Sequence, residues 1–452
     1  MPPRARARRP DRLRHAESEN AHGRRAHVLD RPAAPPADPA RSFQVLSGGR
    51  GLHRRRAPYL RTERAAPQRG RARGTDPRER EALERDAVRR SRLRGDRARA
   101  EVRVHQFHPT LAPGDAMSNH VFALRKKIRH WGYDSFAYAV EAKPGVADVR
   151  SYRRLFREVK PDDLLIVHFS MGSEVVDQLI KIPARRVLVY HNITPPEFFS
   201  GINPHAAAFA RLGLRQLARI APAFELGIGV SEFNRRALAQ AGYEETTRVP
   251  ILLDWEHFAV PPNDAVLARW KGLRSVLLFV GRISPNKRQD DLVRMLAYYR
   301  RCIDPEAQLV LVGAFRDQPQ FHARVVALIE RLGLGGAVHF AGGVEDASLL
   351  AYYRAATAFV SLSEHEGFGV PLLEAMRFRL PVVAYNAAAI GETVGAAGVL
   401  LQERDLAETA EAAAMVGERT ELREALVAAG EKRVLDFDPD KVAERTRQVL
   451  GI

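Results

Sequence analysis

The chain has 452 residues, 45% apolar content and a formal net charge of +17. That length accommodates two or three domains with sizeable cores, and apart from the charge the composition is ordinary for a globular protein. A single cysteine, Cys302, excludes an internal disulfide and a cysteine metal cluster.

The charge is concentrated at one end. Residues 1–100 hold 28 Arg, no Lys and 12 Asp plus Glu, whereas the remainder carries 43 basic and 42 acidic residues. Rich in Arg, Pro, Ala and Gly and poor in apolar periods, the first hundred residues cannot offset their ordering entropy, so a mostly disordered extension is expected. Its arginines suit an arm for nucleic acid or an anionic membrane. The competing reading is a dispensable segment upstream of the true start. No apolar run reaches the roughly 18 residues that cross a bilayer, and the first residues lack a signal-peptide core. A cytoplasmic location is expected, with peripheral contact at the inner membrane face as a further option.

Regular alternation begins at Val102. VRVHQF reads as a strand, and the loop HPTLAPGDAMSN leads into a helix through Trp131, stopped by Gly132. Asp115 suits the cap of that helix. The basic residues Arg125, Lys126, Lys127 and Arg129 then give it either a solvated face or one for anionic headgroups. Apolar runs at 135–140, 163–169, 186–192 and 226–231 alternate with helical periods. His168 and His191 each end one of these runs.

The same architecture restarts at 275 with SVLLFVG, followed by a helix over 288–301 and by AQLVLVG, VHFAG, TAFVSLS and PVVAYN. After Val399 the pattern reads as helical to the end. Residues 254–273, with Pro261, Pro262 and Asn263, have the composition of a linker. Alternating β and α periods imply parallel sheets covered by helices, with ligands beyond the carboxyl ends of the strands. The expected class is α/β: two Rossmann-like domains facing a cleft, at 101–260 and 261–435, with 436–452 as a final helix. In DFDPD, Asp438 and Pro439 suit a helix cap and first position better than a metal site.

Two segments carry the chemistry. SEHEGFGVPLLEAM at 363–376 follows a short buried strand, and its helix spacing begins after Val370. Gly367 and Gly369 fall on the loop, where a backbone without Cβ lets a ligand approach and helix amides point outward. Glu366 lies on this loop and Glu374 is expected in the first helical turn, where both can face one pocket. Taken alone, Glu374 also suits a surface position near the positive end of the helix dipole. In FVGRISPNKRQDDL at 279–292, Arg282 and Lys287 follow a strand end and Gly281.

The first segment closely resembles the Glu-x7-Glu motif of the retaining nucleotide-sugar glycosyltransferases of glycosyltransferase family 4 (glycosyl transferases group 1), which have the GT-B fold. The resemblance covers about residues 101–452. It implies that Arg282 and Lys287 bind the donor diphosphate and that Glu374 accepts hydrogen bonds from the ribose. It further implies that Glu366 contacts the transferred sugar, with the amides of Phe368, Gly369 and Val370 meeting sugar and phosphate. His191 would lie close to the donor sugar, or else be a structural histidine bonded to nearby backbone. Gly114 and Asp115 stand where many relatives have Gly-Gly in a loop approaching donor and acceptor, and in 384–401, which resembles the family's segment after the glutamate motif, Ala388 and Ala389 stand where glycines are common. The final helix would cross back onto the first domain.

The expected activity is therefore transfer of a sugar, with retention, from a nucleotide diphosphate sugar to a carbohydrate or lipid-linked acceptor in cell-surface glycan or glycolipid synthesis. No metal or other cofactor is expected. A GT-B sugar epimerase or phosphorylase is the alternative within enzymes, although no lysine stands out for pyridoxal phosphate. A nicotinamide dehydrogenase is disfavoured because no Gly-x-Gly-x-x-Gly follows the first strand. From another class comes nucleic-acid binding through the arginine-rich arm.

Overall fold

The computed structural model describes residues 102–452. The expected disordered extension and its arginine-rich arm lie outside the described residues.

The first half contains strands β1 (Val104–Phe107), β2 (Thr110–Leu111), β3 (Ala137–Ala139), β4 (Glu141–Ala142), β5 (Val149–Ser151), β6 (Leu164–Phe169), β7 (Arg185–Tyr190), β8 (Leu226–Gly229) and β9 (Thr246–Arg248). Its longer helices are α1 (Ala116–His130), α2 (Pro204–Ile220) and α3 (Glu232–Gln240). Seven strands form one parallel sheet in the order β5-β3-β1-β6-β7-β8-β9, and β2 pairs separately with β4. All six residues of β6, LLIVHF, are buried, as a strand covered by helices on both faces requires.

The second half contains β10 (Val276–Val280), β11 (Gln308–Val312), β12 (Val338–Gly342), β13 (Ala358–Ser361), β14 (Val382–Tyr385) and β15 (Val399–Leu401). Its helices of eight or more residues are α4 (Gln289–Cys302), α5 (Pro319–Arg331), α6 (Asp346–Ala355), α7 (Val370–Arg377), α8 (Leu406–Glu418), α9 (Thr420–Val434) and α10 (Pro439–Leu450). Its parallel sheet runs β12-β11-β10-β13-β14-β15. Both sheets therefore reverse their winding once, between β1 and β6 and between β10 and β13. The loops that leave those strands diverge there and open a crevice at the carboxyl ends.

Local chemistry starts the helices. Asp115 accepts from Ser118 N at the head of α1, Asn203 precedes Pro204 and accepts from Ala206 N, and Asp438 precedes Pro439 and accepts from Asp440 N and Lys441 N. Helix α10 packs on the first half: Lys127 pairs with Asp440 at 2.6 Å, and the Arg447 guanidinium lies over the Trp131 ring. One apolar core runs from Val104, Ile166 and Val189 through Val442 and Leu450 to Phe437, Phe368 and Leu278.

Some local expectations change. Residues 399–401 form the edge strand β15 rather than opening a helical stretch, because pairing to β14 outweighs the local pattern. Strands β5 and β9 are three-residue edges without a buried residue, too short and too exposed for alternation to show. Within 254–273 a helix, Asp264–Trp270, is capped by Asn263, whose side chain also donates to Ser348 Oγ of α6.

Candidate active site

The strongest convergence of sequence-selected residues lies at the winding reversal of the second sheet. The chain leaves β10 through Gly281 and makes a tight turn over Pro285–Lys287. Asn286 is buried within that turn; it accepts from Ser284 Oγ at 2.7 Å and donates to the His365 carbonyl at 3.0 Å. Its own carbonyl receives the Glu364 amide at 2.9 Å. The first bond orders the turn, and the other two fasten the loop after β10 to the loop after β13. Lys287 and Glu366 consequently form a direct ion pair, with side chains 20% and 17% exposed. That exposure leaves both groups open to a ligand while shielding their charges from bulk water.

Gly367 is required by contact within the protein. A Cβ there would lie 2.4 Å from the His191 carbonyl oxygen and 2.7 Å from Asn192 Cβ. The sequence expectation reserved this space for a ligand; the strand end of the first half fills it instead. Asn192 accepts from His365 Nε2 and donates to Asn234, which in turn donates to the Gly367 carbonyl. Gly369, with φ of 89°, caps α7 in a left-handed conformation open to glycine at little cost. The Phe368 ring packs against Phe437, its carbonyl accepts from Thr393 Oγ1, and Val370 is buried.

Two selected residues stand apart from this pair. Helix α7 begins at Val370, one residue earlier than the spacing suggests, which puts Glu374 in the second turn rather than the first. Its carboxylate is buried and accepts the Tyr353 hydroxyl at 2.6 Å. Burial raises the pKa of Glu374 above the ordinary carboxylate value and, with the adjacent carboxylate, holds the Tyr353 phenol well above its own. Arg282 is 47% exposed and pairs with Asp317 at 3.0 Å, on the loop after β11.

On the first half, Asp115 is committed to capping: its Oδ2 accepts from both Ser118 N and Ser118 Oγ. Gly114 makes the preceding turn with φ of 69° and open space around it. The basic residues of α1 pair within the chain, Arg125 and Arg129 with Asp148, Lys126 with Glu256 and Lys127 with Asp440. A carboxylate from the second half, Glu392, accepts the Glu232 and Phe233 amides at the start of α3 and pairs with Arg248. That contact suits the positive end of the helix dipole.

His191 follows β7 and is buried beside His168 and His120. His168 Nδ1 lies 3.0 Å from His191 Nε2, and His168 Nε2 lies 2.9 Å from Gln106 Oε1. Burial lowers the pKa of His120 to about 4 and holds His168 and His191 well below the ordinary value, so all three are neutral at pH 7. Their atoms cluster closely enough for a metal. However, His120 Nδ1 accepts the Leu252 amide at 2.8 Å, which puts the proton of the neutral ring on Nε2. A cation would have to break these hydrogen bonds to gain three lone pairs.

Sequence reasoning missed Gln106, His120, Asn192, Asn234, Asn286, Tyr353 and Glu392. None carries a local signal; the Asn234 to Gly367 bond, for example, joins positions 133 residues apart.

Residues 268–433 match the family described as Glycosyl transferases group 1. O-antigen chain mannosyltransferase B of Escherichia coli is 28% identical over 233 residues, covering 49% of this chain and 58% of the relative. D-inositol 3-phosphate glycosyltransferase of Kribbella flavida is 32% identical over 209 residues, covering 43% and 48%. The chain thus spans about half the length of these curated relatives. Among solved structures, sucrose-phosphate synthase from Thermosynechococcus elongatus is similar with a TM-score of 0.62 at 19% identity, covering 77% of this chain and 98% of that one. HepE of Anabaena in complex with UDP-glucose is similar with a TM-score of 0.62 at 20% identity, covering 77% and 99%. The fold is GT-B.

Proposed function

We propose that this chain is a retaining glycosyltransferase that moves a sugar from a nucleotide diphosphate sugar to a hydroxyl of a carbohydrate or lipid-linked acceptor. The observation that carries the reading is the Lys287–Glu366 pair, held by Asn286 at the winding reversal of the second sheet. The match of residues 268–433 to group 1 glycosyltransferases supports it, as does the fold shared with a protein solved with UDP-glucose.

The donor diphosphate would compete with Glu366 for Lys287. As the bond from the anomeric carbon to the phosphate oxygen breaks, its electron pair passes to that oxygen, and a fixed cation is worth most when this charge has developed. Arg282 would join by exchanging Asp317 for phosphate. Released from the pair, the Glu366 carboxylate would face the electron-poor sugar carbon. The acceptor oxygen forms the new glycosidic bond on the face the diphosphate leaves, and its proton goes to the departing phosphate oxygen.

Tyr353 takes one oxygen of Glu374, leaving the other to receive ribose hydroxyls. His191 would lie near the donor sugar, and the Phe368, Gly369 and Val370 amides near sugar and phosphate. Gly114 and Asp115 would border the acceptor. We propose that no metal takes part, because the two basic side chains supply the countercharge.

The Escherichia coli and Kribbella relatives are named for O-antigen and inositol phosphate chemistry, which favours a hydroxyl-rich acceptor in glycan or glycolipid assembly. No helix among the described residues is long and apolar enough to cross a membrane. We propose a cytoplasmic protein that meets any lipid-linked acceptor at the membrane surface.

The test is thermal stabilisation of the chain by a panel of nucleoside diphosphates and their sugars, followed by transfer assays with the donor that binds and NMR of the product's anomeric configuration. Inversion would refute retention. A folded chain stabilised by no member of the panel would refute the donor assignment.

A further inference from the structure

Gln106, His168 and His191 form a hydrogen-bonded chain whose direction is set at one end by the backbone. The Gln106 amide donates from Nε2 to the Val121 carbonyl at 3.1 Å, so its Oε1 is the atom turned to His168. An amide oxygen can only accept, which puts the His168 proton on Nε2. His168 is neutral, so its Nδ1 is a lone pair, and the 3.0 Å contact requires His191 Nε2 to donate. His191, also neutral, is left with an unprotonated Nδ1. That atom is buried and has no hydrogen-bond partner among the described residues.

A buried acceptor without a donor is costly, and most such atoms in folded proteins are satisfied. Here it sits at the end of β7, in the residue whose carbonyl presses on Gly367 of the Glu366 loop. Every other polar atom of the chain from Val121 to His191 is spent on holding the ring. What remains is one lone pair with a fixed orientation, suited to an O–H donor.

We infer that Gln106 and His168 are positioning residues that hold His191 in the single tautomer whose Nδ1 accepts a hydrogen bond from a substrate hydroxyl, of the donor sugar or of the acceptor. This rests on the proposed transfer activity for the identity of the hydroxyl, but the tautomer is a property of the chain alone. Removing the acceptor at position 106 frees His168 to rotate its proton to Nδ1. His191 then loses its partner and populates both tautomers, one of which presents N–H to the hydroxyl.

The experiment combines two readouts on the full chain. Labelling with 15N-histidine, with His191→Gln to assign the resonance, reports which ring nitrogen is protonated without substrate. Protonation at Nε2 in both His168 and His191 is expected. In Gln106→Leu both rings should show mixed tautomers, and kcat should fall about ten-fold, the worth of one misdirected hydrogen bond. Stabilisation by the nucleoside diphosphate should be unchanged. Gln106→Glu, which keeps an acceptor for His168, should restore much of the rate.

Slower hydrolysis of the nucleotide sugar without acceptor would assign the hydroxyl to the donor sugar. A fall in kcat accompanied by a raised acceptor KM, with that hydrolysis unchanged, would assign it to the acceptor. A proton on His191 Nδ1 in the wild-type chain overturns the inference whether or not the variants fold, as does a Gln106→Leu chain with mixed tautomers and unaltered kinetics. Expected tautomers in a chain that no nucleotide sugar stabilises would instead overturn the transfer reading, and the substrate hydroxyl with it.

Discussion

Gly367→Ala isolates the junction between the two halves. An added Cβ would lie 2.4 Å from the His191 carbonyl oxygen, against an ordinary contact of 3.4 Å or more, so the Glu366 loop or the end of β7 must give by about 1 Å. Neither side yields freely: Asn286 and Asn234 tie the loop, and β7 is buried in its sheet. Overpacking of this kind costs about 1–3 kcal/mol. A displacement of about 1 Å at a reacting centre can lower the rate roughly 100-fold. The assay pairs thermal unfolding with kcat for transfer, using Gly335→Ala as control, because a Cβ there meets nothing within 4 Å. We expect the control to match wild type, and Gly367→Ala to lose both stability and turnover. Wild-type stability and turnover in Gly367→Ala would refute the claim that the junction is closed against this glycine.

Lys287→Ala should lower kcat by about 100-fold or more, the loss typical of removing one fixed group that stabilises developing negative charge. It should barely move the unfolding temperature, since the pair is partly exposed; undiminished kcat would refute its role at the leaving phosphate. Tyr353→Phe removes the hydroxyl that Glu374 accepts, and should change the donor KM more than kcat; a change in kcat alone would put Glu374 elsewhere in the reaction. Stability should also fall with acid. The unfolded state protonates its histidines near pH 6.5 while His120 stays neutral down to about 4, so the stability this provides is present above pH 6.5 and is lost as pH falls towards 4. For a fully buried group that is on the order of 3 kcal/mol, with His168 and His191 acting in the same direction. Denaturant unfolding at pH 7 and pH 5 measures it, and equal stabilities would contradict the neutral cluster. Transfer should survive chelation by EDTA; loss restored by a divalent cation would overturn metal-free catalysis.

The sequence carried what is local. Continuous apolar runs mark the central strands because both sheet faces are covered, and Asp115, Asn203 and Asp438 precede their helices because a cap acts on amides two or three residues away. The segment 363–376 marks a strand-to-helix loop with two carboxylates, and 279–292 marks a loop with two cations. Both lie at the winding reversal for a topological reason that their order along the chain already contains.

Tertiary structure alone decided which of those charges meet. Lys287 finds Glu366 through the buried Asn286, Arg282 turns to Asp317, and Glu374 enters the core against Tyr353. Gly367 was legible as a glycine with a purpose, but its neighbour, the His191 carbonyl, comes from the other half of the chain. The polarity of the Gln106–His168–His191 chain arises in the same way, because a side-chain proton is placed by whichever donor or acceptor folding brings within hydrogen-bond distance. Backbone periodicity and capping act over a few residues and can be read in order, whereas a hydrogen bond or ion pair between distant loops exists only once both sheets have formed.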